Sequence, residues 1–217
     1  MINTLDLPKS IGAALDQHSI LSSVFPKTDI SLPVLSQSLL SVQYGPHQAS
    51  LGNTLPVNDT QELPKVQAIL TENFFNNSQV DLQINDTDTE FTLILTDPDA
   101  PSRTDKKWSE YLHYIGTGLK INAGHPGNTE KFKIIDDSSL KTLVEYQGPA
   151  PPSGTGPHRY VWLLFKGSLT KDDVAGLSEN RPNWGYGEPA VGVEKFAKEK
   201  KLGPLVGINF FFAETKE

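Results

Sequence analysis

The segment Phe91–Thr96 favours β structure and is apolar on both of the faces that a strand presents. A short run of this kind is typical of a strand in the middle of a sheet, where both faces are covered. The run ends abruptly at Asp97-Pro98. The sequence therefore predicts a central strand whose end carries a carboxylate.

Other segments alternate apolar and polar residues with the period of two that half-buried strands require, and glycines and prolines separate them. These segments are Leu40–Tyr44, Val66–Leu70, Glu110–Ile115, Leu143–Gln147, Tyr160–Lys166 and Val206–Phe212. Residues 73–89 are rich in Asn, Asp, Gln and Ser and are predicted to form a solvated surface loop.

Helical periodicity occurs in only two places. One helix is predicted after the capping residue Asp6, with Ile11 and Leu15 on its inner face, and a second over Val193–Leu202. Several strands with two helices predict a mainly β fold, a sandwich of antiparallel sheets with a few peripheral helices, rather than a doubly wound α/β fold. The length is compatible with a single domain over residues 1–217.

The composition disfavours several classes of function. The chain has no cysteine, so it forms no disulfide or thiolate metal site, and a reducing compartment, the cytoplasm, is predicted. A formal net charge of −7 disfavours nucleic acid and anionic bilayers as main partners. No segment is apolar enough for a signal-peptide core or a transmembrane span. The sequons at Asn58, Asn76 and Asn85 are interpreted as chance.

Three segments place polar side chains at predicted strand ends, and the first is DPDAPSR. Its prolines, Pro98 and Pro101, stiffen a non-helical turn that displays Asp97 and Asp99, and one X-Pro bond here is a candidate for the cis isomer. The alternative is a turn with two solvated aspartates, because Asp and Pro are ordinary turn formers.

The second segment, WSEYLHYIG, places Tyr111 and His113 on one face of a strand, although a single strand histidine is more often structural. The third, GPAPPSGTGPHRY, is a loop whose glycines let backbone amides approach a ligand. It runs into a strand with His158 and Tyr160 on a common face. Imidazoles, amides and a carboxylate together predict a small polar pocket that matches a phosphoethanolamine head group.

Taken together, these segments resemble the phosphatidylethanolamine-binding protein family in order and spacing, and the similarity extends over most of the chain from about Leu40. The resemblance implies the fold of that family and an anion pocket, with no catalytic residue, metal or cofactor. The pocket residues that it implies are Asp97, Pro101, Trp108, Tyr111, His113, Gly148, Ala150, Pro152, His158 and Tyr160, supported by Asp99 and Glu110.

Three departures from the family pattern are visible. Trp108 stands where many relatives have Tyr, and Leu112 stands where animal members have a second His. The chain also ends soon after Phe210, without the C-terminal helix that helps cover the pocket in animal members. The resemblance therefore implies a more open pocket mouth.

The opening MINTLDL, the tract Leu51–Pro56 and the tract Arg181–Val193 resemble, within that family, the yeast inhibitors of carboxypeptidase Y-type serine carboxypeptidases. The resemblance implies a protein inhibitor rather than an enzyme, with a serine carboxypeptidase as partner in the cytoplasm or the vacuole. Its N-terminal tip would enter the active-site cleft while the folded body blocks the approach. The tip comprises Met1, Ile2, Asn3, Thr4 and Leu5. An ordinary frayed terminus is the alternative, and a monomer is the simplest expectation.

Further alternatives stay open. Trp184, in RPNWGYGEP, is either an exposed binding residue or a core anchor, and the anchor is favoured. The protein could instead be a phospholipid-binding regulator or scaffold of a kinase or Ras pathway. A metal-dependent hydrolase would use Asp97, Asp99, His113 and His158 as ligands, but the signatures of familiar enzyme classes are absent.

Overall fold

The computed structural model describes residues 7–72, 74 and 88–216. In these ranges the α-helices are α1 (Leu7–Gln17), α2 (Ile20–Val24), α3 (Leu32–Leu35) and α4 (Val193–Glu199). The strands are β1 (Ser38–Tyr44), β2 (His47–Gln48), β3 (Asn53–Thr54), β4 (Lys65–Thr71), β5 (Phe91–Asp97), β6 (Tyr111–Ile121), β7 (Phe132–Asp136), β8 (Lys141–Val144), β9 (His158–Lys166) and β10 (Leu205–Ala213).

The strands form one continuous sheet in the order β2-β1-β4-β7-β6-β5-β9-β10-β3, with β8 beside β6. Strand β6 connects the two halves of the sheet, because it pairs with β5 along most of its length and with β7 only through Lys120 and Ile121. All strand pairs between the described strands are antiparallel except β3 with β10. The prediction of a mainly β fold is confirmed. Where a sandwich of antiparallel sheets was predicted, the described strands form a single bent sheet with one parallel pair.

Two apolar cores lie on opposite faces of β5. Leu93 and Leu95 belong to a core between the two halves of the sheet, shared with residues of β1 and β4 such as Val42 and Val66. Ile94 belongs to a second core that the helices cover from outside. The double-sided burial of β5 explains why its sequence is apolar on both faces.

The helices differ from the prediction in number. The predicted helix after Asp6 is α1, and its inner residues Ile11 and Leu15 are buried as expected. The prediction of only two helices was wrong, because α2 and α3 span 5 and 4 residues, too few to show a helical period in sequence.

Strand boundaries also differ. The predicted strand ended at Ile115, but β6 continues through Gly116 and Gly118 to Ile121. Strand β7 was not predicted. Strand β8 ends at Val144 rather than Gln147. Almost all of the predicted loop 73–89 lies outside the described residues. Within the described ranges, no helix has the length and apolar character needed to cross a bilayer.

Candidate functional site

The end of the central strand brings the three predicted segments to one edge of the sheet. Strand β5 ends at Asp97, directly opposite Tyr111 at the start of β6. Strand β9 runs antiparallel to β5 on its other side and starts at His158. Because both neighbours begin where β5 ends, their first side chains surround the Asp97 carboxylate.

A cavity of about 140 Å³ lies at this edge. Drug-sized ligands generally occupy cavities of roughly 300–1,000 Å³, so this one suits a small polar group rather than a whole lipid. It is lined by Asp97, Ala100, Pro101, Trp108, Tyr111, His113, Gln147, Ala150, Pro152, His158 and Tyr160. Nine of the ten residues predicted to bind ligand therefore surround one space; that they bind a ligand stays a prediction.

Gly148 is the predicted pocket residue that does not line the cavity. It is buried against Gln61, and a Cβ atom at this position would lie 2.7 Å from the Gln61 Oε1 atom. Its glycine is needed for this close packing and not for approach to a ligand. Ala100 and Gln147 line the cavity but were missed, since neither residue type carries a sequence signal for such a role.

Asp97 and His158 form a buried pair at the base of the cavity. The His158 Nδ1 atom lies 2.8 Å from Asp97 Oδ2, and the Asp99 amide donates to Asp97 Oδ1 at 2.6 Å. Burial opposes a charged imidazole, but the hydrogen bond and negative charge of Asp97 outweigh it and raise the pKa of His158. The predicted cis bond is also present, between Ala100 and Pro101.

His113 has the opposite protonation tendency. Its Nδ1 atom lies 2.6 Å from the Gln147 carbonyl, which can only accept, so Nδ1 carries a proton. Burial lowers the pKa of His113 more than the charge of Asp97 raises it. The ring is held between Tyr111 and Tyr160, with ring centroids 5.1 and 5.2 Å away. The neutral ring therefore presents Nε2 as an acceptor.

Asp99 supports the edge from behind. Its carboxylate is fully buried and accepts from Arg159 Nε at 2.8 Å and Nη2 at 2.7 Å. Burial opposes the charged carboxylate, but the bonds from Arg159 outweigh it and lower the pKa of Asp99. Arg159 Nη1 also donates to the carbonyls of His18 and Ser19 and to Ser23 Oγ, which connects the site to the turn between α1 and α2. Arg159 was not predicted to take part in the site, although strand alternation places its side chain on the face of β9 that His158 does not occupy.

Glu110, which was predicted to support the pocket, is buried and does not line the cavity. It accepts from Thr96 Oγ1 at 2.9 Å, and Thr96 in turn accepts from Trp184 Nε1 at 3.1 Å. Burial raises the pKa of Glu110 to about 8. Trp184 is 1% exposed and packs against Phe196, so the prediction of a core anchor is confirmed.

The segment around Trp184 makes hydrogen bonds to the backbone of Ser109 and Leu112, two residues of the pocket wall between Trp108 and His113. The Arg181 carbonyl accepts from the Leu112 amide, and the Arg181 Nη1 atom donates to the Leu112 carbonyl. The Asn183 side chain and the Ala190 amide both donate to the Ser109 carbonyl. Ser109 and Leu112 come shortly before His113 in the chain. The segment around Trp184 therefore helps to position the His113 imidazole.

Residues 47–211 match the family model described as phosphatidylethanolamine-binding protein. The chain belongs to this family. It is 40% identical, over the full length of both chains, to the carboxypeptidase Y inhibitor of Saccharomyces cerevisiae. It is also 34% identical to an uncharacterized protein of the same yeast, with 96% of each chain covered.

Solved structures agree with this assignment. The carboxypeptidase Y inhibitor in complex with its cognate proteinase superimposes with a TM-score of 0.77 at 37% identity, covering 97% of this chain and 98% of that one. The phosphatidylethanolamine-binding protein from Plasmodium vivax has a TM-score of 0.62 at 18% identity, with 94% and 97% covered, which supports the fold alone.

Trp108 places an exposed indole at the cavity mouth. Trp108 is 44% exposed, and the Lys107 ammonium lies 4.9 Å from its ring centroid. The indole can therefore contact a ligand or a partner at the mouth, as an amphipathic ring with one polar edge.

The metal hypothesis finds no support in the described part of the chain, which contains no cluster of three or more His, Asp or Glu side chains suited to a metal. The carboxylates proposed as metal ligands have other partners. Both oxygens of Asp99 bind Arg159, and those of Asp97 bind His158 and a backbone amide. His113 alone offers a free ring nitrogen.

A larger groove of about 550 Å³ lies elsewhere, between α4 and the segment from Phe25 to Val34. Its floor includes Phe165 and Leu205. It has no histidine or buried ion pair, so the smaller cavity is the better candidate for specific recognition. The predicted inhibitory tip, Met1–Leu5, lies outside the described residues.

Proposed function

We propose that this protein inhibits a serine carboxypeptidase of the carboxypeptidase Y type. The observation that carries the proposal is its 40% identity, over the full length of both chains, to the yeast carboxypeptidase Y inhibitor. The similarity to the structure of that inhibitor with its proteinase supports it, because most of both folds superimpose. In this proposal the protein is a binding partner of the peptidase and not an enzyme, a cytoplasmic monomer that also meets its target in the vacuole.

The tip Met1–Leu5 is the proposed inhibitory element. It precedes α1, which is held to the folded body by the buried side chains of Ile11 and Leu15. A peptide segment attached to an anchored helix loses less translational and rotational entropy on entering a cleft than an unattached peptide does. The folded body would then obstruct the approach of substrates.

Titration of the peptidase tests this proposal. We expect deletion of residues 1–5 to raise the inhibition constant by about 30-fold or more, the loss typical of interface residues that dominate binding. The matched control is His113→Ala, which alters the cavity and should leave inhibition largely unchanged. Full inhibition by the truncated protein would contradict the role of the tip. Loss of inhibition in the control would favour the alternative of a ligand-regulated scaffold.

The second part of the proposal concerns the cavity, which we assign to a phosphate-bearing head group or a free phosphate. Its supporting features are the small volume of the cavity and the raised pKa of His158, which favours a charged imidazole beside it. Calorimetry with inorganic phosphate, phosphoethanolamine and a short-chain phospholipid would distinguish the sources. We expect His158→Phe to abolish binding of all three, whereas unchanged binding would refute this site.

A further inference from the structure

The hydroxyl of Thr155 occupies the ring nitrogen of His158 that an anion would need. Thr155 Oγ1 lies 2.7 Å from the Pro152 carbonyl and 3.0 Å from His158 Nε2. A hydroxyl has one proton, and the carbonyl can only accept, so this proton is directed to Pro152. The contact with Nε2 therefore requires the imidazole to donate. With Nδ1 donating to Asp97, both N–H groups of His158 are used.

This arrangement leaves the cavity without a free imidazole donor. His113 presents an unprotonated Nε2, because its proton is on Nδ1. The Asp97 carboxylate adds negative charge at the base of the cavity. Of the two imidazoles, only His158 through its Nε2–H can donate to an incoming anion, and a charge-assisted bond of that kind is about twice as strong as a neutral one.

The loop around Thr155 is bounded by two glycines, and the described contacts of Thr155 within it go to a single carbonyl. Gly154 and Gly156 flank it with φ angles of 76° and 78°, a conformation that glycine adopts freely. A Cβ atom at Gly156 would meet nothing within 4 Å. The Thr155 amide makes a 3.2 Å bond to the Pro152 carbonyl, the same acceptor as its hydroxyl, and the residue is half-buried.

We propose that Thr155 acts as a latch on the anion site: its hydroxyl holds His158 Nε2–H in the free protein, and the bound anion displaces it. This inference rests on the proposed head-group site and adds a residue that sets its affinity. Thr155 competes with the anion, so the ligand must break one hydrogen bond to the imidazolium before it forms its own.

Calorimetry with inorganic phosphate on Thr155→Val and Thr155→Ser tests the latch. Valine has the shape of threonine without the hydroxyl, so we expect phosphate to bind about three- to tenfold more tightly, the range of one hydrogen bond. Serine keeps the hydroxyl and should bind phosphate as the natural protein does. In the Thr155→Val variant without phosphate, the pKa of His158 measured by NMR should fall, because the charged ring loses an acceptor.

The outcomes separate this inference from the proposal on which it rests. If His158→Phe does not weaken phosphate binding, the head-group site itself is wrong. If His158→Phe abolishes binding but Thr155→Val binds phosphate equally or less tightly, the site stands and the latch is refuted. Thermal unfolding of each variant shows whether a lost affinity reflects a lost fold.

Discussion

Arg159 and Asp99 form a two-point ion pair that solvent does not reach, with Nη2 2.7 Å from Oδ1 and Nε 2.8 Å from Oδ2. Their side chains are 2% and 0% exposed. The pair joins the turn after β5 to the start of β9, 60 residues apart in the chain. It holds together the two strand ends that carry Asp97 and His158.

Replacing one partner of this pair should be costly. We expect Asp99→Ala to lower the free energy of unfolding by about 3–5 kcal/mol, because it leaves a buried guanidinium without its counter-charge. Urea denaturation measures the change. The matched control is Asp105→Ala, which removes an exposed partner of Lys107 at 3.7 Å and should cost less than about 1 kcal/mol. Similar losses in both variants would contradict the structural role of the pair.

Glu110 should make stability fall as the pH rises. Its folded-state pKa is raised to about 8 by burial, so between about pH 4.5 and 8 the folded chain retains a proton that the unfolded chain releases. The contribution is fully present below the unfolded pKa and is lost as the pH rises to the folded pKa, by at most about 1.4 kcal/mol per pH unit.

Urea denaturation of Glu110→Gln between pH 5 and 8 checks this prediction, because glutamine cannot ionise and should remove this part of the pH dependence. Glu72→Gln, at an exposed position, is the control and should leave the dependence as it is. Parallel stability curves for the natural protein and Glu110→Gln would show that Glu110 does not titrate in this range.

Asp97 should control the charge of His158. In Asp97→Asn the imidazole loses the negative charge that outweighs burial, so its pKa should fall below its present raised value. Titration of the ring by NMR measures the shift, and Asp105→Asn serves as the exposed control. A pKa of His158 that does not respond to Asp97→Asn would mean that the contact is not a charge pair.

Trp184 should stabilise the fold more than the neighbouring Tyr186. We expect Trp184→Ala to lower the free energy of unfolding by about 3–5 kcal/mol, since it removes a buried indole from the core behind the pocket wall. Tyr186 is half-buried and bonds Glu199 at 2.6 Å, so Tyr186→Ala should cost less. Equal denaturation midpoints for Trp184→Ala and Tyr186→Ala would contradict this order.

Local patterns in the sequence determined the strand character of Phe91–Thr96 and the amphipathic face of α1. They also placed Tyr111 with His113 on one strand face and His158 with Tyr160 on another, because the alternation of side chains along a strand is a local property. The bend that turns one sheet into two facing halves depends on pairing between strands distant in the chain. No local pattern could predict it.

The tertiary structure alone decided which side chains are partners. That Arg159 binds Asp99, that Gly148 packs on Gln61 and that Thr155 meets His158 follows from contacts that form only when separate loops reach the same edge. Hydrogen-bond partners fix which nitrogen of an imidazole carries a proton, and the balance between burial and neighbouring charges fixes whether the ring is charged. The protonation of the pocket is therefore a property of the assembled fold, although the sequence already named both histidines.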